Sequence, residues 1–355
     1  MGSAAASFVV SQPTFTVDGE DKPELSSQLL ELTVREDTLG LYRCEAEFGN
    51  WGAVGGRIGF RYFDRALLDF GKTFAITLGS VTLFQGRVMG LRAAFPEGAP
   101  PRVIVLADDR LQDLRMTRRT RSFADASDAD IMRTIASDHS LSADLDVSGP
   151  THRHLAQVNQ SDLAFLRERA SAVDAEVWVE DTTLRAKRRD ARDTSAVTLT
   201  WQHQLREFVV TADLAAQRTT VVVSGWDVSG KQAIKSEATS SAISAELGSQ
   251  TSGVSILEGI AARRENLAHP VPVTANEGQA AADAFFRMSA RRFVTGRGVA
   301  EASVGLRVGK QVELKELGPM FSGKYTVTAV RHRFDTAHGI RTEFDVERPG
   351  IGQAN

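Results

Sequence analysis

The chain has one cysteine, Cys44, in 355 residues. It can form no internal disulfide and, without partner ligands, no zinc site, so folding in a reducing cytoplasm is the expectation. Charge of one sign is also lacking: 42 Lys and Arg stand against 45 Asp and Glu, a net charge of -3. That argues against a dedicated nucleic-acid binder, which carries a basic excess. No apolar run approaches the ~18 residues of a membrane span. The first residues, Met1-Gly2-Ser3-Ala4-Ala5-Ala6, have neither a basic segment nor a long apolar core, and Ala6 stands where a myristoylation signal wants Ser or Thr. Any export would therefore not use the general secretory route.

Catalytic patterns are missing too. Gly71-Lys72-Thr73 resembles the tail of a phosphate-binding loop, but Ala66 occupies the first glycine position and Lys72 opens a strand instead of a helix. His152-Arg153-His154 would place two rings on one strand face, with no third ligand set by spacing and a cation between them. His332 and His338 are weaker still; solvated or interface histidines are the expectation. There is no Gly-x-Ser-x-Gly elbow. The carboxylate pairs Glu20-Asp21 and Glu180-Asp181 fall in turns, where they cannot face each other across a cleft. Two basic runs, Arg115 to Arg121 and Arg185 to Arg192, suggest a salt-bridged subunit interface or a charged lumen more than base contacts.

What the chain does carry is a repeat. Gly71-Lys72, an alternating stretch Thr73 to Leu78, and Phe84-Gln85-Gly86-Arg87 are matched by Gly309-Lys310, an alternating stretch Gln311 to Lys315, and Phe321-Ser322-Gly323-Lys324. Two further strand patterns follow each copy: Val88 to Ala94 and Arg102 to Leu106, then Tyr325 to Arg331 and Arg341 to Glu347. A repeat so widely spaced means two related β-modules, since a solenoid needs three or more short units. Such duplication suits a protein that imitates two subunits of something else. The expected fold is mainly β with an α+β insertion: two β-barrels and a small α+β domain.

The pattern predicts a first β-module over residues 1–108, with strands at Phe8 to Val17, Gln28 to Glu36 and Tyr42 to Phe48. The α+β domain is expected over 109–195, with helices opening at Ser127-Asp128-Ala129-Asp130 and Ser161-Asp162, then a strand at Glu176 to Glu180. The second β-module spans 196–355, interrupted by a loop and helix at about 230–295. Residues 236–255, rich in Ser, Ala, Thr and Gly, read as a mobile loop. Asn276 is the expected helix cap, with Gln279 at the box position and Ala281, Phe285 and Met288 on the buried face.

Several segments together resemble the hub family of contractile injection systems: the phage late-control protein D group, related to the T4 baseplate hub and the N-terminal part of VgrG spike proteins. They are Gly86-Arg87-Val88 with Phe95-Pro96-Glu97-Gly98; Asp109-Arg110-Leu111; Arg118 to Phe123 running into Asp128 to Ile131; Gln160 to Ala170; Val223 to Asp227; and Leu317 to Tyr325 with Val330 to Phe334. The resemblance spans about residues 60 to 348. It implies two barrels like the tube protein in each subunit and a homotrimer whose six barrels form a pseudo-six-fold ring. Such a ring would adapt the hexameric inner tube to the trimeric spike, beside other baseplate proteins. It implies no enzyme activity, no cofactor, no metal, no nucleic-acid requirement and no membrane insertion. It also implies synthesis in the bacterial cytoplasm and assembly into a phage tail-like particle, with release outside the cell one outcome.

The motif positions Gly86, Arg118, Arg119, Asp162, Phe165, Trp226, Asp227, Gly318, Phe321, Gly323, Arg331 and His332 are expected to serve structure or interfaces. Two departures stand out. Many relatives have a glycine near Asp174, which puts the shape of that turn in doubt. The residues given also end shortly after the second module, where spike-fused relatives continue. The expectation is therefore a separate spike protein or a longer chain. The alternatives are an enzymatic or cargo-bearing module on an injection particle, such as a cell-wall hydrolase, and a sugar- or nucleic-acid-binding β-protein.

Overall fold

The computed structural model describes residues 12–192 and 195–352; positions 8–11 of the first expected strand lie outside them. The first module contains β1 (Thr14–Val17), β2 (Glu20–Asp21), α1 (Pro23–Gln28), β3 (Leu29–Asp37), β4 (Arg43–Gly49), β5 (Trp51–Val54), β6 (Arg57–Phe60), β7 (Thr73–Leu78), β8 (Val81–Ala94) and β9 (Arg102–Asp108). Then come α2 (Leu111–Arg115), β10 (Arg118–Ser127), α3 (Asp128–Asp138), β11 (Ser142–Asp146), β12 (Thr151–Ser161), α4 (Asp162–Ala172), β13 (Ala175–Glu180) and β14 (Thr183–Arg188). The second module opens with β15 (Ala196–Thr200) and β16 (Leu205–Ala212). It breaks for β17 (Thr220–Asp227), β18 (Gln232–Ala238), α5 (Ser244–Leu247), β19 (Thr251–Ser252), α6 (Gly253–Glu258), β20 (Arg264–Leu267) and α7 (Ala275–Arg291). It closes with β21 (Val294–Glu301), β22 (Gln311–Lys315), α8 (Gly318–Phe321), β23 (Gly323–Asp335), β24 (Gly339–Arg348) and β25 (Gly350–Ile351). The fold is mainly β with an α+β insertion, as the sequence indicates.

Much of the repeat is realised in matching backbone bonds. In the first module the strand order is β3-β4-β9-β8-β7-β1; in the second it is β16-β21-β24-β23-β22-β15. Gly71 N–H donates to the Val88 carbonyl and Val88 N–H to that of Lys72; Gly309, Val327 and Lys310 repeat both bonds. Both glycines have positive φ, +79° and +81°, which is why glycine opens each copy. Bulges also coincide. One falls between Val88 and Gly90 and its counterpart between Val327 and Ala329; another falls between Leu29 and Glu31 and its counterpart between Leu205 and Glu207. Bulges bend a strand and tighten its twist, so matched bulges curl both sheets alike. The outermost strands differ: β1 pairs with β7 antiparallel, β15 with β22 parallel.

Alternation fills each module. Phe74, Ile76, Val312 and Leu314 are all fully buried, while their strand neighbours face outward. Phe15, Phe48 and Phe74 anchor the first core, with Phe15 edge-on to Phe48 at 5.2 Å. Tyr325 and Phe344 anchor the second, with Phe208 lying against both. The α+β insertion has its own core of Ile131, Ile135, Phe165, Leu166, Val177 and Leu184. Ser127 and Asp130 form a full capping box at the start of α3, and Ser161 caps α4.

Two expectations are corrected here. Residues 236–255 are not a structureless loop: they hold the end of β18, a 3-10 turn, α5, β19 and the start of α6. Together with the sheet β18-β17-β20, they pack on α7 around Val221, Val223, Ile243, Ala282 and Phe286. The helix α7 is capped by Thr274 with Glu277, not by Asn276 with Gln279. Of the expected buried face, Ala281 does enter this core, beside Ala282 and Phe286, whereas Phe285 and Met288 are only partly buried.

Candidate functional site

The feature that could act in assembly is the joint between the two modules. Strand β3 of the first pairs antiparallel with β23 of the second, from Ala329 opposite Asp37 to Asp335 opposite Glu31, so one 13-stranded sheet runs through both. At this joint Phe334 pairs with Leu32 and enters the first module's core; they are 7% and 1% exposed. Arg307 of the second module forms an ion pair with Glu36 of β3 and donates to the Thr82 carbonyl at 3.1 Å. Val308 N–H also reaches Glu36, at 3.5 Å. Burial pushes the Glu36 carboxyl up, opposed by the Arg307 charge and by its hydrogen bond. The two modules are therefore locked by a strand pair, an apolar plug and a buried ion pair.

A cavity of about 650 Å³ lies beside this joint, between β8, the Trp178–Asp181 turn and the Val304–Lys310 loop. Its buried acids have structural partners. Glu36 is held by Arg307, while Asp109 accepts from the Tyr42 and Leu111 backbones, each at 2.9 Å. Burial raises the Asp109 carboxyl to about 7. Arg192 lies over the Trp178 ring at 3.9 Å and pairs with Glu176. Arg189 joins Glu176 to Glu347 of β24, tying the α+β domain to the second module. The second basic run is thus paired within the chain.

The motif residues do not converge on one site. Arg119 and Asp162 meet at 3.1 Å, and Asp162, 1% exposed, also takes Arg121 at 3.0 Å, Gln157 at 2.9 Å and His139 at 2.8 Å. Burial alone would raise Asp162, but hydrogen bonds from Gln157 and His139 and the charges of Arg121 and Arg119 outweigh it and hold the carboxyl low. Arg118 donates to the Asn159 carbonyl at 3.1 Å, and Phe165 stacks on Phe123 at 5.9 Å. These residues brace α4 against β10 and β12.

Asp227 caps a turn by accepting from Ser229 and Gly230, both at 2.9 Å, while Trp226 is half exposed on β17. Gly318 has φ +75°, and Gly323 has φ +124° with Arg348 close by. Phe321 packs on the second core and accepts the Tyr325 hydroxyl at 2.7 Å. Arg331 is an exposed partner of Glu343 at 3.0 Å. Its neighbour His332 is 1% exposed, with Nδ1 3.1 Å from the Thr342 hydroxyl.

Two of these positions carry predictions. A Cβ on Gly86 would lie 2.3 Å from the Asp108 carbonyl oxygen and 2.6 Å from the Phe84 ring. Backbone cannot yield as a side chain can, so Gly86→Ala is expected to destabilise by about 1–3 kcal/mol. Urea melts showing no loss would contradict this packing. His332 is driven down to about 3 by burial and then by the Arg307 charge. The unfolded chain therefore takes up the proton first, below an ordinary value of about 6.5. Falling pH then favours unfolding roughly tenfold per unit from about 6.5 toward about 3. His332→Asn should remove that share of the slope in melts at pH 7 and 5.

Sequence reasoning missed two buried clusters. His152 lies 2.7 Å from Glu277 and 3.3 Å from Asp128, beside Arg169, which also grips Asp128. This links the α+β domain to α7, so His152 sits at an internal interface. Asp174 adopts φ +58°, the left-handed backbone that glycine favours, so the turn keeps that conformation without it. Its carboxylate is gripped by Arg291, which also holds Glu246. Among the described residues no three His, Cys, Asp or Glu side chains gather to hold a metal ion. No described helix is long and apolar enough to cross a membrane, which says nothing of strands.

A family model described as the Alg8 N-terminal domain matches residues 59–336. No curated protein matches in sequence. Among solved structures, the fold is similar to the 43 kDa tail protein of prophage MuSo2 from Shewanella oneidensis. That match has a TM-score of 0.72 at 11% identity and covers 96% of this chain and 98% of that one. A tail protein from Neisseria meningitidis gives 0.67 at 12% identity, over 96% and 97%. An Escherichia coli protein, described as a type VI secretion component with structural similarity to T4 tail proteins, gives 0.57 at 12%, over 92% and 76%. At such identities the likeness speaks for the fold alone.

Proposed function

This chain belongs to the family described as the Alg8 N-terminal domain, and we propose that it is a structural, non-enzymatic tail component: the hub of a contractile injection system. The family description states no activity. The observation that carries the reading is a fold shared over 96% of this chain and 98% of a prophage tail protein. In finer terms, it is a late-control-protein-D-like hub. Residues 1–108 and 196–355 form the two tube-like modules and 109–195 form the brace between them.

Three chains present six modules as a pseudo-six-fold ring. One face docks the hexameric inner tube and the other a trimeric spike, with further baseplate proteins around it. Duplication of one module within the chain supports this, because it makes a three-fold object look six-fold. The mechanism is mechanical: sheath contraction drives tube, hub and spike outward together. The locked joint of β3 and β23 suits a part that carries such load. The protein is assembled into a phage tail-like particle.

Purified protein tests the reading by pull-down with a candidate tube protein and a candidate spike. Retention of both by one hub preparation supports it. Hydrolysis of cell wall in a zymogram, with neither partner retained, would favour the enzymatic alternative.

A further inference from the structure

We infer that the solvent face of the joint binds a small multivalent oxyanion of the oligophosphate class, on a row of three arginines that crosses from one module to the other. The site lies within one chain, so it does not depend on the ring reading above. Strand register builds the row. Arg331 of β23 stands directly opposite Arg35 of β3, and Arg35 stands directly opposite Arg43 of β4. All three are exposed, while their strand neighbours His332, Val34 and Cys44 are buried on the opposite face. Neighbouring strands lie only ~4.8 Å apart, and like charges placed directly opposite destabilise a sheet. The two outer members relieve the crowding sideways. Arg331 is drawn to Glu343 of β24 at 3.0 Å, and Arg43 to Asp108 of β9 at 3.0 Å, each on the far side of its strand from β3. Arg35, in the middle, makes no ion pair or side-chain hydrogen bond among the described residues.

A groove of about 270 Å³ opens at the β3–β23 half of this row, with Arg35, Arg331 and Arg297 in its wall beside Asp37, Glu343 and Asp345. Those carboxylates are already engaged: Glu343 with Arg331, Asp345 with Arg297 at 2.8 Å, and Asp37 with the Leu39 N–H at 2.8 Å. What the groove lacks is an acceptor for Arg35. An oxyanion there accepts from the Arg35 fork and faces Arg331 and Arg43, neutralising a repulsion that the fold leaves standing. Several negative charges fit better than one, since the guanidinium groups come from three adjacent strands. Phe344, the ring at the floor of the groove, is 2% exposed and offers no face on which a base could stack. A free oligophosphate is therefore favoured over a nucleic-acid strand. Arg35 and Arg43 belong to the first module and Arg331 to the second, so the bound anion clasps the joint from outside, as the Glu36–Arg307 pair holds it from within.

The test is a thermal melt of the full chain at low salt with sodium tripolyphosphate, against sodium chloride at matched ionic strength, which screens all surface charges alike. Wild type is expected to gain about 3 °C or more over the chloride control, saturably, and hydrogen exchange in β3 and β23 should slow with it. Arg35→Gln should carry the opposite signature. Without the anion it melts at or above wild type, because the crowding is relieved. With the anion it gains no more than from chloride, and titration calorimetry shows binding weakened about tenfold or more. Arg35→Lys keeps the charge without the fork and should fall between. Arg57→Gln, at an exposed position on β6, should respond as wild type does. A wild-type gain no larger than with chloride overturns the site, and so does an equal gain in Arg35→Gln, which marks diffuse attraction only. An Arg35→Gln chain that melts well below wild type without the anion contradicts the crowding on which the site rests. Tighter retention of a single-stranded oligonucleotide than of tripolyphosphate at equal ionic strength overturns the oligophosphate assignment in favour of nucleic acid.

Discussion

Replacing Val312 by Asp is expected to abolish folding of the second module. Val312 is fully buried on β22, with β15 on one side and β23 on the other, and its side chain enters the core of Tyr325, Val327 and Phe344. The substitution removes about 1.5–3 kcal/mol of apolar burial and forces a carboxyl into a site without a partner. The carboxyl must stay protonated or pull water inward, and the sum reaches about 5 kcal/mol or more. Whole domains have only about 5–15 kcal/mol. Phe74→Asp, Ile76→Asp and Leu314→Asp should behave alike, each position being fully buried. Gln311→Asp, one residue away on the outer side, should be nearly silent. Soluble, folded protein from Val312→Asp would contradict the inward assignment of this face.

Arg291→Met is the second large effect. Arg291 is 4% exposed and holds Asp174 through a bidentate pair and Glu246 through another contact. Burial opposes its charge, but the bonds to Glu246 and Asp174 win and push the guanidinium further up. Removing it leaves Asp174, equally buried, with only Arg287, at 3.9 Å, as an ion-pair partner among the described residues. Breaking one side of a buried pair typically costs about 3–5 kcal/mol. The loss should concentrate where α7 meets α4, and hydrogen exchange would show those amides opening first. Asp174→Asn in the same chain should recover part of it, since the orphaned charge is then gone. Arg297→Met, which breaks a pair 77% exposed on the Arg side, should shift the melt by under about 1 kcal/mol. Equal losses from both variants would contradict the buried network.

The difference between these two predictions marks what sequence can and cannot disclose. Val312 was readable: alternation and a second copy of the same phrase both place it inward. The helix start at Ser127 was readable as well, because a capping box is local. The α7 cap was misplaced by two residues, since Thr274-Glu277 and Asn276-Gln279 both satisfy the same local pattern. In the structure it is Thr274 and Glu277 that exchange the box hydrogen bonds. Residues 236–255 looked patternless because their short elements pack singly against α7 and never establish a period.

Asp174–Arg291 and His152–Glu277 join residues 117 and 125 positions apart. No local rule pairs side chains at that distance. The joint of β3 with β23 was hidden for a related reason: an edge strand's hydrogen-bonding groups are the same in every sequence and do not name their partner.

The most direct test of the ring is the solution mass of the purified chain by light scattering, with negative-stain images of the same peak. The expected result is three times the 38.5 kDa of one chain and rings with six lobes. A monomer at every concentration, unchanged when a tube protein and a spike are added, would contradict it.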